Sequence, residues 1–172
     1  YPIIQAPMGW IARSQLASAV SNAGGLGIIE TSSGELDNIK REVELMRELT
    51  DKPFGMNVAL SYVKGTNIVD FVIEQGIKFV TTSSGSPNVC TRDFQAAGIT
   101  VFHVVPTLEM AMKAMDAGVD GLVVEGGEGG GFEVVPDADD SAVDLLESLD
   151  AEGGFVGSVE RDGECDAVAE VF

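Results

Sequence analysis

The chain has 172 residues, 45% apolar and 22% charged, with 28 acids against 10 bases for a net charge of −18. This balance suits one globular domain with a sizeable core; it excludes a collagen-like fibre and wholesale disorder, and the negative charge repels the phosphate backbone of a nucleic acid. Apolar runs stop short of the roughly 18 residues that a spanning helix needs and no basic-then-apolar leader is present, so we expect no membrane partner and a cytoplasmic location.

Over the first 131 residues, short β-branched runs alternate with stretches of helical period, the pattern of repeated βα units and a parallel sheet. The first strand is expected at 2–7 (PIIQAP), followed by a helix capped by Ser14 and closed by Gly24 and Gly25. A second strand follows at 26–30. The next helix starts near Ser33 and carries Leu36, Ile39, Val43, Met46 and Leu49 on one face. The third strand is at 54–60, and its helix starts at Thr66 or Asn67 and ends at Gly76.

The fourth strand is expected at 77–82, with a helix over 88–97 closed by Gly98, and the fifth strand at 99–105. A helix from the Pro106–Thr107 boundary packs Met110, Ala114 and Met115 and ends at Gly118; the sixth strand, 121–125, runs into the glycines of 126–131. Units of this length, each helix ending in glycine, predict a (β/α)8, TIM-type barrel in the α/β class. Six units are present, so the barrel is incomplete.

From 132 onward the composition changes. Residues 133–172 hold 13 acids and one base, and 29 of these 40 residues are Val, Ala, Asp, Glu or Gly, whose codons all begin with G. We expect a partial barrel over 1–131 and a divergent acidic tail over 132–172, with one helix at 141–149 and a weak strand at 155–159. The tail reads as an out-of-frame or unrelated extension of a truncated barrel. Cys90 and Cys165 stand in no metal-binding or disulfide spacing and are read as free thiols, and no metal site is expected.

In such barrels the chemistry sits at the C-terminal strand ends. Those ends carry Pro7–Met8–Gly9, Glu30–Thr31–Ser32, Asn57, the run Thr82–Ser83–Ser84–Gly85, His103, and Glu125 before the glycines. Four segments at or beside them, PIIQAPMGW, SNAGGLG, KPFGMNVAL and GVDGLVVEGGEGGG, resemble the nitronate monooxygenase family (2-nitropropane dioxygenases), flavin barrels related to flavin-type enoyl reductases.

The resemblance implies an FMN cofactor, with Met8 and its neighbours lining the ring pocket through backbone groups, Asn57 and Glu125 hydrogen-bonding the ring, and Gly130 allowing close approach. It also implies oxidation of an alkyl nitronate or similar small carbanion by O2. Two departures stand out. Glu125 replaces the commoner glutamine, so it needs a donor or a proton to face a flavin carbonyl, and Phe132 stands where many members carry the histidine base. Phenylalanine accepts no proton, which leaves His103 as the catalytic candidate beside the reading of a hydrogen-bonded core histidine. The rival readings are an NAD(P)H-dependent flavin reductase and a non-catalytic remnant. The partner expected is a small-molecule substrate, and the sequence leaves room for a homo-oligomer.

Overall fold

In the computed structural model, helices and strands alternate along the chain, and described residues are 2–32, 35–62 and 68–125. The elements are α1 (Ser14–Asn22), β1 (Gly27–Ile29), α2 (Leu36–Leu49), β2 (Phe54–Ala59), α3 (Ile68–Glu74), β3 (Phe79–Ser83), α4 (Thr91–Ala96), β4 (Thr100–Val105), α5 (Leu108–Asp116) and β5 (Gly121–Val124), with short 3-10 turns at Leu60–Tyr62 and Pro87–Val89. The strands form one sheet in sequential order, β1 to β5. β1 pairs in parallel with β2, and β2 with β3, in a register that sets Ile29 beside Met56, Asn57 beside Thr81 and Ala59 beside Ser83. Sequential parallel strands joined by helices are the α/β barrel pattern, here incomplete. Two compact units divide the chain at 102/103.

In the first unit the strands are buried on both faces. Ile28, Ile29, Val43, Met46, Met56, Val58, Val72, Val80, Phe94 and Val101 are fully buried, each contributing about 1.5–3 kcal/mol relative to exposure. The Phe79 and Phe102 rings meet edge-to-face with centroids 4.8 Å apart. α1 lies directly on β1: a Cβ at Gly27 would stand 2.0 Å from the Ala17 carbonyl oxygen, so only glycine permits this approach. Gly24, at φ +95°, ends α1 in the left-handed conformation that glycine adopts without strain.

In the second unit Val105, Ala111, Ala114, Leu122 and Val124 form the buried cluster, with Leu108 and Val119 packed against it. Thr107 caps α5, its hydroxyl accepting from the Met110 N–H at 3.3 Å.

Four expectations need correction. The first strand shrinks to a single parallel bridge between Ile4 and Leu26, because Pro2 and Pro7 have no N–H to extend a ladder. Ser14 is the first residue of α1 rather than its cap; Arg13 holds the cap position without a side-chain bond. Leu49, at the last turn of α2, is exposed. In α5 the buried residues are Ala111 and Ala114, while Met110 and Met115 are exposed along with Met112. The starts expected at Ser33 and at Thr66 or Asn67, the glycine cluster, Gly130, Phe132, Cys165 and the whole tail lie outside the described residues.

Candidate functional site

Polar side chains follow β1 (Glu30, Thr31), interrupt the second half of β2 (Asn57) and close β3 (Thr81, Thr82, Ser83). Asn57, 3% exposed on β2, has its amide Nδ2 3.1 Å from the Thr81 hydroxyl, 3.3 Å from the Thr81 carbonyl and 3.3 Å from Ser83 Oγ. Its Oδ1 accepts one long bond, 3.4 Å, from the Ser83 hydroxyl. The amide thus has three donor contacts for two hydrogens, two of them long, and a carbonyl with spare acceptor capacity. Thr31 ties the next strand in, donating from its hydroxyl to the Asn57 backbone carbonyl at 2.7 Å. Ser84, at φ +55°, turns the chain sharply after β3.

Gln5 lies in the segment bridged to Leu26 and is buried. Its side-chain amide donates to the carbonyls of Ala6 (3.0 Å) and Ile28 (3.2 Å), and its Oε1 has no hydrogen-bond partner among the described residues. A buried carbonyl without a donor costs about 1–3 kcal/mol of desolvation, which makes it a vacant acceptor for a ligand N–H or O–H.

Met8 opens a tight turn into α1. Its N–H donates to the Ala6 carbonyl, and its own carbonyl accepts from Ile11 and Ala12. Both backbone groups are engaged, and the side chain is 40% exposed.

A charged network secures this turn. The Glu30 carboxylate accepts from the Trp10 N–H at 3.2 Å and from the Ser32 hydroxyl at 3.0 Å, with Arg13 Nη2 at 4.0 Å. Arg13 also reaches Glu42 of α2 at 3.4 Å. Glu42 in turn accepts from both the N–H (2.9 Å) and the hydroxyl (2.6 Å) of Ser14. Burial pushes the Glu42 carboxyl up, but the two Ser14 bonds and the Arg13 charge outweigh it and hold the group below the usual carboxylate range. Reading the sequence did not find this network. Its one linear signal is Glu30 at a strand end; its partners come together only through the packing of α1 on α2.

In the second unit, His103 lies on β4 and is 2% exposed. Glu125 follows β5, its N–H donating to the Val105 carbonyl at 3.0 Å. Burial pushes its carboxyl up, which favours the protonated form. Of the sequence-predicted site residues, Met8 and Asn57 therefore fall in the first unit and His103 and Glu125 in the second, while Gly130 lies outside the described residues. Among the described residues no three His, Cys, Asp or Glu side chains group as metal ligands, and no helix is long and apolar enough to cross a membrane.

Residues 1–68 match the family model described as nitronate monooxygenase. The chain is 32% identical over 131 residues to a (3aS,4S,5R,7aS)-5-hydroxy-7a-methyl-1-oxo-octahydro-1H-indene-4-carboxyl-CoA dehydrogenase of Mycobacterium tuberculosis, covering 76% of this chain and 37% of that protein. It is 30% identical to a nitronate monooxygenase of Pseudomonas aeruginosa, covering 84% of this chain and 53% of that one. Among solved structures, FabK of Thermotoga maritima superposes with a TM-score of 0.69 at 35% identity, over 73% of this chain and 40% of FabK. The chain thus spans between a third and just over half of these proteins. The likeness to the nitronate monooxygenase family carried by PIIQAPMGW and its companion segments is therefore shown, over the part of the chain that the family model and these relatives share with it.

Proposed function

We propose that this chain is the flavin-binding part of an FMN-dependent oxidoreductase. The observation that carries the reading is the buried amide of Asn57 at the strand ends, whose Oδ1 keeps acceptor capacity, together with the unpartnered Oε1 of Gln5. A flavin ring presents one N–H between two carbonyls, so it calls for an acceptor flanked by donors. Within the first unit, Asn57 Oδ1 and Gln5 Oε1 offer such an N–H an acceptor. With its backbone groups engaged in the turn, Met8 offers the ring a side-chain surface.

When bound, FMN supplies the redox chemistry, exchanging electrons with substrate and with a second acceptor or donor. The chain's residues orient the ring and exclude water around it. The substrate we propose is an alkyl nitronate or similar small carbanion oxidised by O2. Such an anion needs no deprotonation, which suits a chain with Phe132 at the usual base position and a buried His103. A second reading is favoured by the Mycobacterium tuberculosis relative: dehydrogenation or reduction of a ring-bearing acyl thioester at the same pocket.

The test begins with FMN titrated into the purified chain and followed by absorbance after desalting. Retained flavin supports the proposal, and a colourless protein that takes up no FMN overturns it in favour of a non-catalytic remnant. Oxygen consumption with ethyl nitronate then supports the first substrate, and NAD(P)H consumption without nitronate the second.

A further inference from the structure

We propose that Trp10 is a substrate-facing wall of this site, packing against an apolar ring body of the substrate; the inference rests on the reading of these strand ends as the reaction site. Trp10 sits at φ +62°, a left-handed conformation that is strained for a bulky residue and persists only where its surroundings fix it. Those surroundings are identifiable. The Glu30 carboxylate accepts from the Trp10 backbone N–H, and the Arg13 guanidinium lies 5.0 Å from the indole centroid, anchored in turn between Glu30 and Glu42.

The indole so held is 72% exposed, and its neighbours Ile11 and Met8 are 62% and 40% exposed. The Glu30 bond fixes the backbone at Trp10 and the Arg13 guanidinium restricts its ring from one side, so a ligand that packs on the indole meets a smaller ordering cost. The turn is also continuous with the candidate site: Glu30, which holds Trp10, precedes Thr31, whose hydroxyl bonds the Asn57 carbonyl.

The nature of the occupant follows from Arg13. An open indole face ordinarily attracts cations. Here a guanidinium is already stacked on the ring, and it would repel a second cation. What remains favourable is an uncharged ring, packed by dispersion and burial of apolar surface. Small nitronates offer no such ring, so the wall belongs with the second substrate reading above, in which the reacting group is attached to a cyclic hydrocarbon body.

The experiment uses 2-naphthoate as a ring-bearing probe and acetate as a ringless carboxylate, with and without FMN. Trp10 is the sole tryptophan, so its indole N–H gives one resonance. We expect 2-naphthoate to shift that resonance and acetate to leave it in place. Trp10→Ala should weaken 2-naphthoate binding by about three- to tenfold, and Trp10→Phe should largely restore it, with FMN affinity unchanged in both. An unmoved indole resonance, or equal 2-naphthoate affinity in Trp10→Ala, overturns the inference. Failure to bind FMN with the indole shift retained would instead overturn the flavin reading alone.

Discussion

Glu42, in the second turn of α2, caps the N-terminus of α1: its Oε2 accepts from both the N–H and the hydroxyl of Ser14. A helix start usually draws its cap from the residue just before it, and here a neighbouring helix provides it 28 residues later. Glu42→Gln should therefore cost about 1–2 kcal/mol at pH 7, measured by urea unfolding. Because the folded-state pKa lies below the ordinary 4.5, the contribution is fully present above the unfolded value. It disappears as pH falls through the lower folded value, so the gap between native and Glu42→Gln chains should close in acid.

Glu125 should behave in the opposite sense. Its carboxyl is raised by burial, so its favourable state is the protonated one, and stability should decline as pH rises from about 4.5 through the folded pKa. Glu125→Gln should remove that decline. Thermal melts of both chains between pH 4 and 8 test it, and parallel slopes would refute it.

Asn57→Ala removes the amide that bonds Thr81 and Ser83 across β2 and β3. We expect a loss of about 1–3 kcal/mol in unfolding free energy and a clear loss of FMN affinity. Flavin binding at native strength in this variant would show that the amide serves the sheet alone.

Gly27→Ala places a methyl group 2.0 Å from the Ala17 carbonyl oxygen, against backbone that cannot rotate away. The expected cost is about 3 kcal/mol or more, since α1 must lift from β1. Chemical denaturation of the variant measures it.

Cys90 is buried, and its thiol is pushed up to about 12, chiefly by burial and secondarily by the negative charge of Asp93. It should resist alkylation by iodoacetamide at pH 8 in the folded chain and react on unfolding. Peptide mapping of the labelled site distinguishes it from Cys165, and rapid modification of folded Cys90 would contradict its placement.

The sequence was most legible where a residue's own backbone dictates structure. Gly24, Gly76, Gly98 and Gly118 were expected to end helices, and all four have positive φ. Strands Phe54–Ala59 and Thr100–Val105 fall within the expected runs, the second because Thr100, Val101, Val104 and Val105 make it rich in the β-branched residues that favour strands. Less legible were features settled across space. Ser14 looked like a cap because serine commonly is one, yet its hydroxyl is claimed by Glu42 from another helix. Met110 and Met115 fit the apolar face of α5 by period, but the small Ala111 and Ala114 are the residues it buries. At the site, Asn57 stood out from its segment, whereas the Gln5 Oε1 that lacks a partner among the described residues and the Trp10–Arg13–Glu30 group emerge only once chain segments far apart in sequence are brought together.

The stretch before α1 is fastened to β1's entry by the Leu26 N–H on the Ile3 carbonyl (2.8 Å) and the Gln5 N–H on the Leu26 carbonyl (3.0 Å), backed by the Gln5 side chain on the Ile28 carbonyl (3.2 Å). Such links act like a clasp, closing or opening together. When they part, Gln5 loses its burial while the Glu30 brace still grips the turn at Trp10, so amide exchange at Gln5 and Leu26 should outpace exchange at Trp10. The acceptor that Gln5 offers is thus coupled to the fastening of the chain's leading edge.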